Sequence, residues 1–104
     1  MAFQYFVNKG RPEKQLILSL ADGYHGDTIG AMSVGARSVF HEAFEPMLFQ
    51  SRQIPAPRCP HEFFHDEDRA LKELAPSLRA LAQVLRDEGD KICAILLEPV
   101  IQGA

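Results

Sequence analysis

The chain has 104 residues, 46% of them hydrophobic and 24% charged, which is the balance of a globular domain and not of a disordered or fibrous chain. Acids and bases are interspersed to a formal net charge of −3, so no basic stripe follows a phosphate backbone, and nucleic acid is not an expected partner. No apolar run reaches the roughly 18 residues of a membrane span, and residues 1–10 lack the basic start and small-residue cleavage site of a signal peptide; the expectation is a cytoplasmic protein with no membrane partner.

In chain order, Phe3, Phe6 and Val7 recur at helical spacing, and Asn8-Lys9-Gly10 followed by Pro12 ends that helix. Residues 15–20 form a short apolar run closed by Ala21-Asp22-Gly23, the pattern of a strand. Asp27 is placed to cap a short helix over 28–34, which Gly35 stops. Residues 37–45 carry no decisive pattern, 47–49 suit a short strand, and Pro55, Pro57 and Pro60 mark a loop that cannot enter a sheet interior. Residues 66–75 predict one helical segment, and Pro76 suits the first turn of a second, whose Leu78, Leu81, Ala82 and Leu85 share a face before Gly89.

Residues 91–97 are nearly all apolar, the pattern of a parallel strand covered on both faces. Cys93 lies within that run and is expected to pack as a small hydrophobe, while Cys59 lies among prolines; a reducing compartment suits both. Strand, helix and strand in this order predict an α/β layer.

Two polar clusters directly follow predicted strands: Tyr24-His25-Gly26-Asp27-Thr28 after the first and Glu98-Pro99 after the last. In open α/β sheets ligands settle beyond the carboxyl ends of the strands, so neighbouring strands would aim both clusters at one region. The first cluster also reads as a surface turn, with Gly26 supplying the tight backbone and Asp27 the cap. Glu98 also reads as a solvated strand-end acid; if buried, its carboxylate needs a partner.

The segment from Gly23 to Val34, with Tyr-His-Gly-Asp-Thr followed by Gly-Ala-Met-Ser-Val, resembles the stretch after a central strand in class III aminotransferases. The run from Ile95 to Ala104, with Leu-Glu-Pro and then Gln-Gly-Ala, resembles a second motif of that family. The likeness spans the chain but is diffuse over residues 52–68. It implies an α/β fragment of the mostly parallel large domain of a fold-type-I enzyme, with residues 1–104 forming part of a pyridoxal-phosphate-binding domain truncated at both ends.

By the same likeness, Tyr24, His25, Gly26 and Glu98 lie at the cofactor, pyridoxal 5'-phosphate. Tyr24 would cover the ring face and, with Asp27, meet the substrate amine; Gln102 and Gly103 would continue into the active-site loop. The Schiff-base lysine, the pyridinium carboxylate and the phosphate anchors have no match, and Lys9, Lys14, Lys72 and Lys91 fall at expected helix ends, turns or solvent-facing positions, so no catalytic residue is assigned. One branch of the family is nearest, implying amino transfer from S-adenosylmethionine to 8-amino-7-oxononanoate in biotin biosynthesis by a homodimer. Another amine or ω-amino acid is the alternative substrate.

Two readings compete. His61-Glu62-Phe63-Phe64-His65 fits the H-E-x-x-H pattern of zinc peptidases, but prolines precede it, acids follow it, and no third ligand suggests itself. A small α/β binding domain without chemistry would share the periodicity and leave the two strand-end clusters unexplained.

Overall fold

Leu16, Leu18 and Leu20 stand on one side of the first strand, β1 (Leu16–Leu20), with Ile17 and Ser19 on the other, and this alternation sets the layers. The computed structural model describes residues 1–58, 65–99 and 102. In it β1 is the centre of a three-stranded sheet, with β2 (Arg52–Ile54) and β3 (Ile92–Leu96) paired parallel on its two sides. The helices are α1 (Ala2–Asn8), α2 (Ile29–Val34), a 3-10 helix over Val39–Met47, and α3 (Glu67–Glu88). The expected α/β class with a parallel sheet is the architecture found.

On one face Leu18, Leu20, Ile54 and Ile92 form the buried cluster, and Ala80, Leu81 and Val84 of α3 pack against it. On the other, the fully buried Ser19 hydroxyl donates to Val34 O at 2.7 Å, so a polar group inside the sheet is satisfied by the end of α2. Ile17 and Cys93 share a cavity with Met1, Ala2 and Phe3 of the N-terminal segment, which assigns α1 to that same side.

Several expectations need correction. Glu67–Glu88 form one helix, capped by Asp66 accepting from Arg69 N at 3.1 Å, and Pro76 lies inside it. Proline removes one intrahelical donor, but its fixed φ suits a helix, and buried or packed residues just beyond it, from Ser77 to Val84, hold α3 on the sheet. The face is also rotated: Ser77, Ala80, Leu81 and Val84 point inward, while Leu78 and Leu85 are exposed, as is Leu71.

Residues 47–49 are not a strand, because their amides are spent elsewhere. Leu48 N bonds Glu45 O at 3.2 Å and Phe49 N bonds the Ser33 hydroxyl at 3.1 Å; the strand forms three residues later. β3 is buried at Ile92 but exposed at Ile95 and Leu96, since among the described residues it has one strand neighbour. Cys93 is half-buried and free, at a register irregularity where Leu16 pairs Ile92 and Ile17 pairs Ala94.

Lys14, expected in a turn or facing solvent, is buried. Its ammonium donates to Gly89 O at 2.7 Å and Ile92 O at 2.9 Å and sits 5.1 Å from the Phe6 ring centroid, joining α1, the end of α3 and β3. Lys14→Met keeps the apolar stem but leaves both carbonyls without this donor. It is expected to lower unfolding free energy by about 1–3 kcal/mol in a urea titration.

Arg52 of β2 grips Glu88 of α3, with Nη2 to Oε1 at 2.9 Å, and this hydrogen bond holds the Glu88 carboxyl below its ordinary value of 4.5. A depressed carboxyl stabilises the fold above its unfolded value, and that contribution is lost as pH falls through the lowered folded value. Thermal melts from about pH 6 to about pH 3 should therefore show a shallower acid-side decline for Glu88→Gln than for the unaltered chain.

Candidate active site

Parallel strands deliver their carboxyl ends to one rim, and the residues after β1 and β3 meet there. After Leu20, Ala21 N bonds Ile54 O at 2.8 Å and Asp22 turns the chain at φ 62, a conformation aspartate tolerates. Gly23 is buried, and its carbonyl accepts Ala36 N at 2.8 Å, tying the loop to the end of α2. A Cβ on Gly23 would stand 3.0 Å from Glu98 Oε1 and 3.1 Å from His25 Nε2, so those two side chains close around this glycine.

The Tyr24 amide donates to Glu98 Oε1 at 2.9 Å, joining residues 74 apart in sequence. This is the partner that a strand-end carboxylate requires. Gln102, expected to continue into the same region, donates its side-chain amide to Ala21 O. The Tyr24 hydroxyl donates to Asp27 Oδ2 at 3.1 Å, and this hydrogen bond raises the phenol above its ordinary value of 10.0. Gly26 has φ +114, a backbone state that side-chain-bearing residues rarely adopt, so the turn requires glycine there. His25 Nε2 is buried and, among the described residues, has no hydrogen-bond partner.

Asp27 does not cap α2. Thr28 does, its hydroxyl accepting Ala31 N at 3.2 Å. Thr28 is one residue closer to the helix, so its oxygen reaches that amide, and the Asp27 carboxylate is left to the phenol. The structure thus brings Tyr24, His25, Gly26, Asp27 and Glu98 to one rim. An exposed aromatic face, a carboxylate beside it and an unpartnered buried imidazole nitrogen can receive a flat, polar, nitrogen-containing ligand.

Sequence reading missed the wall beside this group. Phe40, His41 and Phe44 of the 3-10 helix and Met32 of α2 line a cavity of about 570 Å³ with Tyr24, Asp27 and Ser38. The apolar residues Val39, Phe40, Ala43, Phe44 and Met47 recur at four-residue spacing, which signals a helical face without marking it as a 3-10 helix. His61 and Glu62 of the zinc-peptidase pattern lie outside the described residues, whereas His65 is exposed in the turn before α3. Among the described residues no group of three or more His, Cys, Asp or Glu is placed to hold a metal.

The family model for class-III aminotransferases matches residues 1–104. The chain belongs to that family. Among curated relatives it is similar to the adenosylmethionine-8-amino-7-oxononanoate aminotransferases of Anoxybacillus flavithermus, at 40% identity over the whole chain and 22% of the relative, and of Synechococcus elongatus, at 42% over the whole chain and 23% of the relative. The chain therefore spans less than a quarter of the length of these class-III relatives. Among solved structures, a PLP-bound amine transaminase from an uncultivated Pseudomonas species superposes with a TM-score of 0.70 at 29% identity, over 97% of this chain and 22% of that one. The adenosylmethionine-8-amino-7-oxononanoate aminotransferase of Methanocaldococcus jannaschii superposes with a TM-score of 0.66 at 29% identity, over 90% and 18%. No helix among the described residues is long and apolar enough to cross a membrane.

Two measurements test the local geometry. In a Tyr5→Phe background, leaving Tyr24 as the one tyrosine, its phenolate absorbance should appear above the ordinary value of 10.0, and Asp27→Asn should bring it down towards that value. Gly23→Ala should push Glu98 off the Tyr24 amide, shifting that amide resonance and reducing its protection from hydrogen exchange.

Proposed function

We propose that this chain is the segment of a pyridoxal-phosphate aminotransferase that covers the cofactor and receives the substrate amine, in an enzyme moving an amino group from S-adenosylmethionine to 8-amino-7-oxononanoate in biotin biosynthesis. The observation that carries this reading is the 2.9 Å bond from the Tyr24 amide to Glu98, because it unites the two family motifs at one rim of a parallel sheet. Relatives bearing that enzyme's name align with the full length of the chain, which supports the substrate assignment. A cytoplasmic homodimer belongs to the same proposal.

The cofactor supplies the electron sink for amino transfer; the chain supplies binding and orientation. Tyr24 offers an exposed ring for offset stacking, and Glu98 fixes the backbone from which that ring projects. Gly26 keeps the turn tight enough for close approach, and His25 Nε2 is available to a polar atom of the ligand. The Asp27 carboxylate attracts the substrate ammonium and orients it, while the Tyr24 hydroxyl stands 3.1 Å from that same carboxylate.

None of the four lysines serves as the covalent partner in this reading. Lys14 is bound to two carbonyls at the opposite end of β3, Lys91 directly precedes that strand, and Lys9 and Lys72 lie in the turn after α1 and on exposed α3. The chain by itself is therefore catalytically silent in this proposal.

The natural gene product carrying this chain is expected to bind pyridoxal phosphate, seen by visible absorbance, and to aminate 8-amino-7-oxononanoate with S-adenosylmethionine as donor. Asp27→Asn should lower kcat/KM for the amine roughly tenfold or more, the worth of a charged hydrogen bond, with cofactor retention little changed. A gene product that holds no cofactor, or an Asp27→Asn variant with unaltered kinetics, would count against the proposal.

A further inference from the structure

A second cavity lies on the opposite face of the sheet from α2, between the sheet and α3. It measures about 270 Å³, with Leu20 and Ile54 from the sheet, Leu74, Leu78 and Leu81 from α3, and Leu97 after β3 in its walls. Two polar side chains occur in its described lining, Ser77 and Glu98. Glu98 is turned to the Tyr24 amide at 2.9 Å. Ser77 is only 7% exposed, and among the described residues its hydroxyl makes no hydrogen bond. A helical serine commonly returns its proton to the carbonyl four residues back, as Ser33 does to Ile29 O at 2.6 Å. Ser77 instead leaves that group facing an apolar hollow.

We infer that this cavity is a binding site for a small neutral apolar molecule that carries one hydrogen-bonding group, which meets the Ser77 hydroxyl. A buried hydroxyl without a partner is costly, and a ligand oxygen removes that cost while the ligand body covers leucine and isoleucine walls. Water is a poor occupant, since it is held by two to four polar partners and the cavity offers one uncommitted hydroxyl. A charged ligand would lose its hydration against the leucines, and an anion would also meet the Glu98 carboxylate. The size suits a single ring, because an apolar cavity of roughly 150 Å³ is already enough for benzene. The inference stands apart from the aminotransferase reading, as none of it depends on the Tyr24–Asp27 pair.

The test takes the natural gene product carrying this chain, labels its leucine methyl groups isotopically, and titrates it with benzyl alcohol, toluene and benzoate. Benzyl alcohol and toluene should move the methyl resonances of Leu20, Leu74, Leu81 and Leu97, and benzoate should bind at least about tenfold more weakly. Ser77→Ala gives up no hydrogen bond within the described fold. It should weaken benzyl alcohol about two- to tenfold and leave toluene unchanged. Leu78→Trp enlarges a wall residue from a position 51% exposed, so it should obstruct both neutral probes while the fold persists. Cavity methyls that no probe moves, benzoate binding as tight as the alcohol's, or benzyl alcohol affinity unaltered in either variant would each overturn the inference.

Discussion

Parallel pairing on both sides of β1 is the constraint from which the rest of the structure follows. A parallel sheet sends every strand end to the same rim, whereas an antiparallel neighbour would send the chain after β3 to the far side. With Ser19 opposite Leu96, the register brings Glu98 level with the turn after β1, and its carboxylate reaches the Tyr24 amide. Helices on the two faces make this pairing stable. Leucines at alternate positions of β1 meet α3, and Ser19 between them is satisfied by α2.

What was legible in the sequence was local and periodic. Leu16–Leu20 and Ile92–Leu96 stand out as apolar runs between turn residues, and the clusters after them were recognisable because a strand end is where polar residues interrupt such runs. Less legible was anything decided by competition between partners. Asp27 and Thr28 are both able to cap a helix, and distance to the Ala31 amide chooses Thr28. Residues 47–49 look like a strand until the Ser33 hydroxyl and Glu45 carbonyl take their donors.

The long helix shows a second limit of pattern reading. Pro76 suggested a boundary, yet the helix runs through it because its inner face is held on the sheet beyond that point. Leu78, Leu81, Ala82 and Leu85 share a face in the sequence, but the inward face is turned so that Leu81 is kept and Leu78 and Leu85 are exposed: Ser77, Ala80, Leu81 and Val84 have the right spacing but smaller or more polar members. The buried position of Lys14 is hidden from the sequence for a related reason. A lysine between turns ordinarily points outward, and only the convergence of Gly89 and Ile92 carbonyls, 75 and 78 residues away, gives its ammonium a place inside.

The contact between Tyr24 and Asp27 has a further consequence. With Asp27 Oδ2 engaged by the phenol, a cation reaching this carboxylate would use Oδ1 or share Oδ2 with the hydroxyl. Sharing favours heads with several N–H groups, since one can reach the carboxylate while another turns to the phenol oxygen. A fully alkylated nitrogen brings charge but no such donors, and meets this pair as a competitor without a handhold.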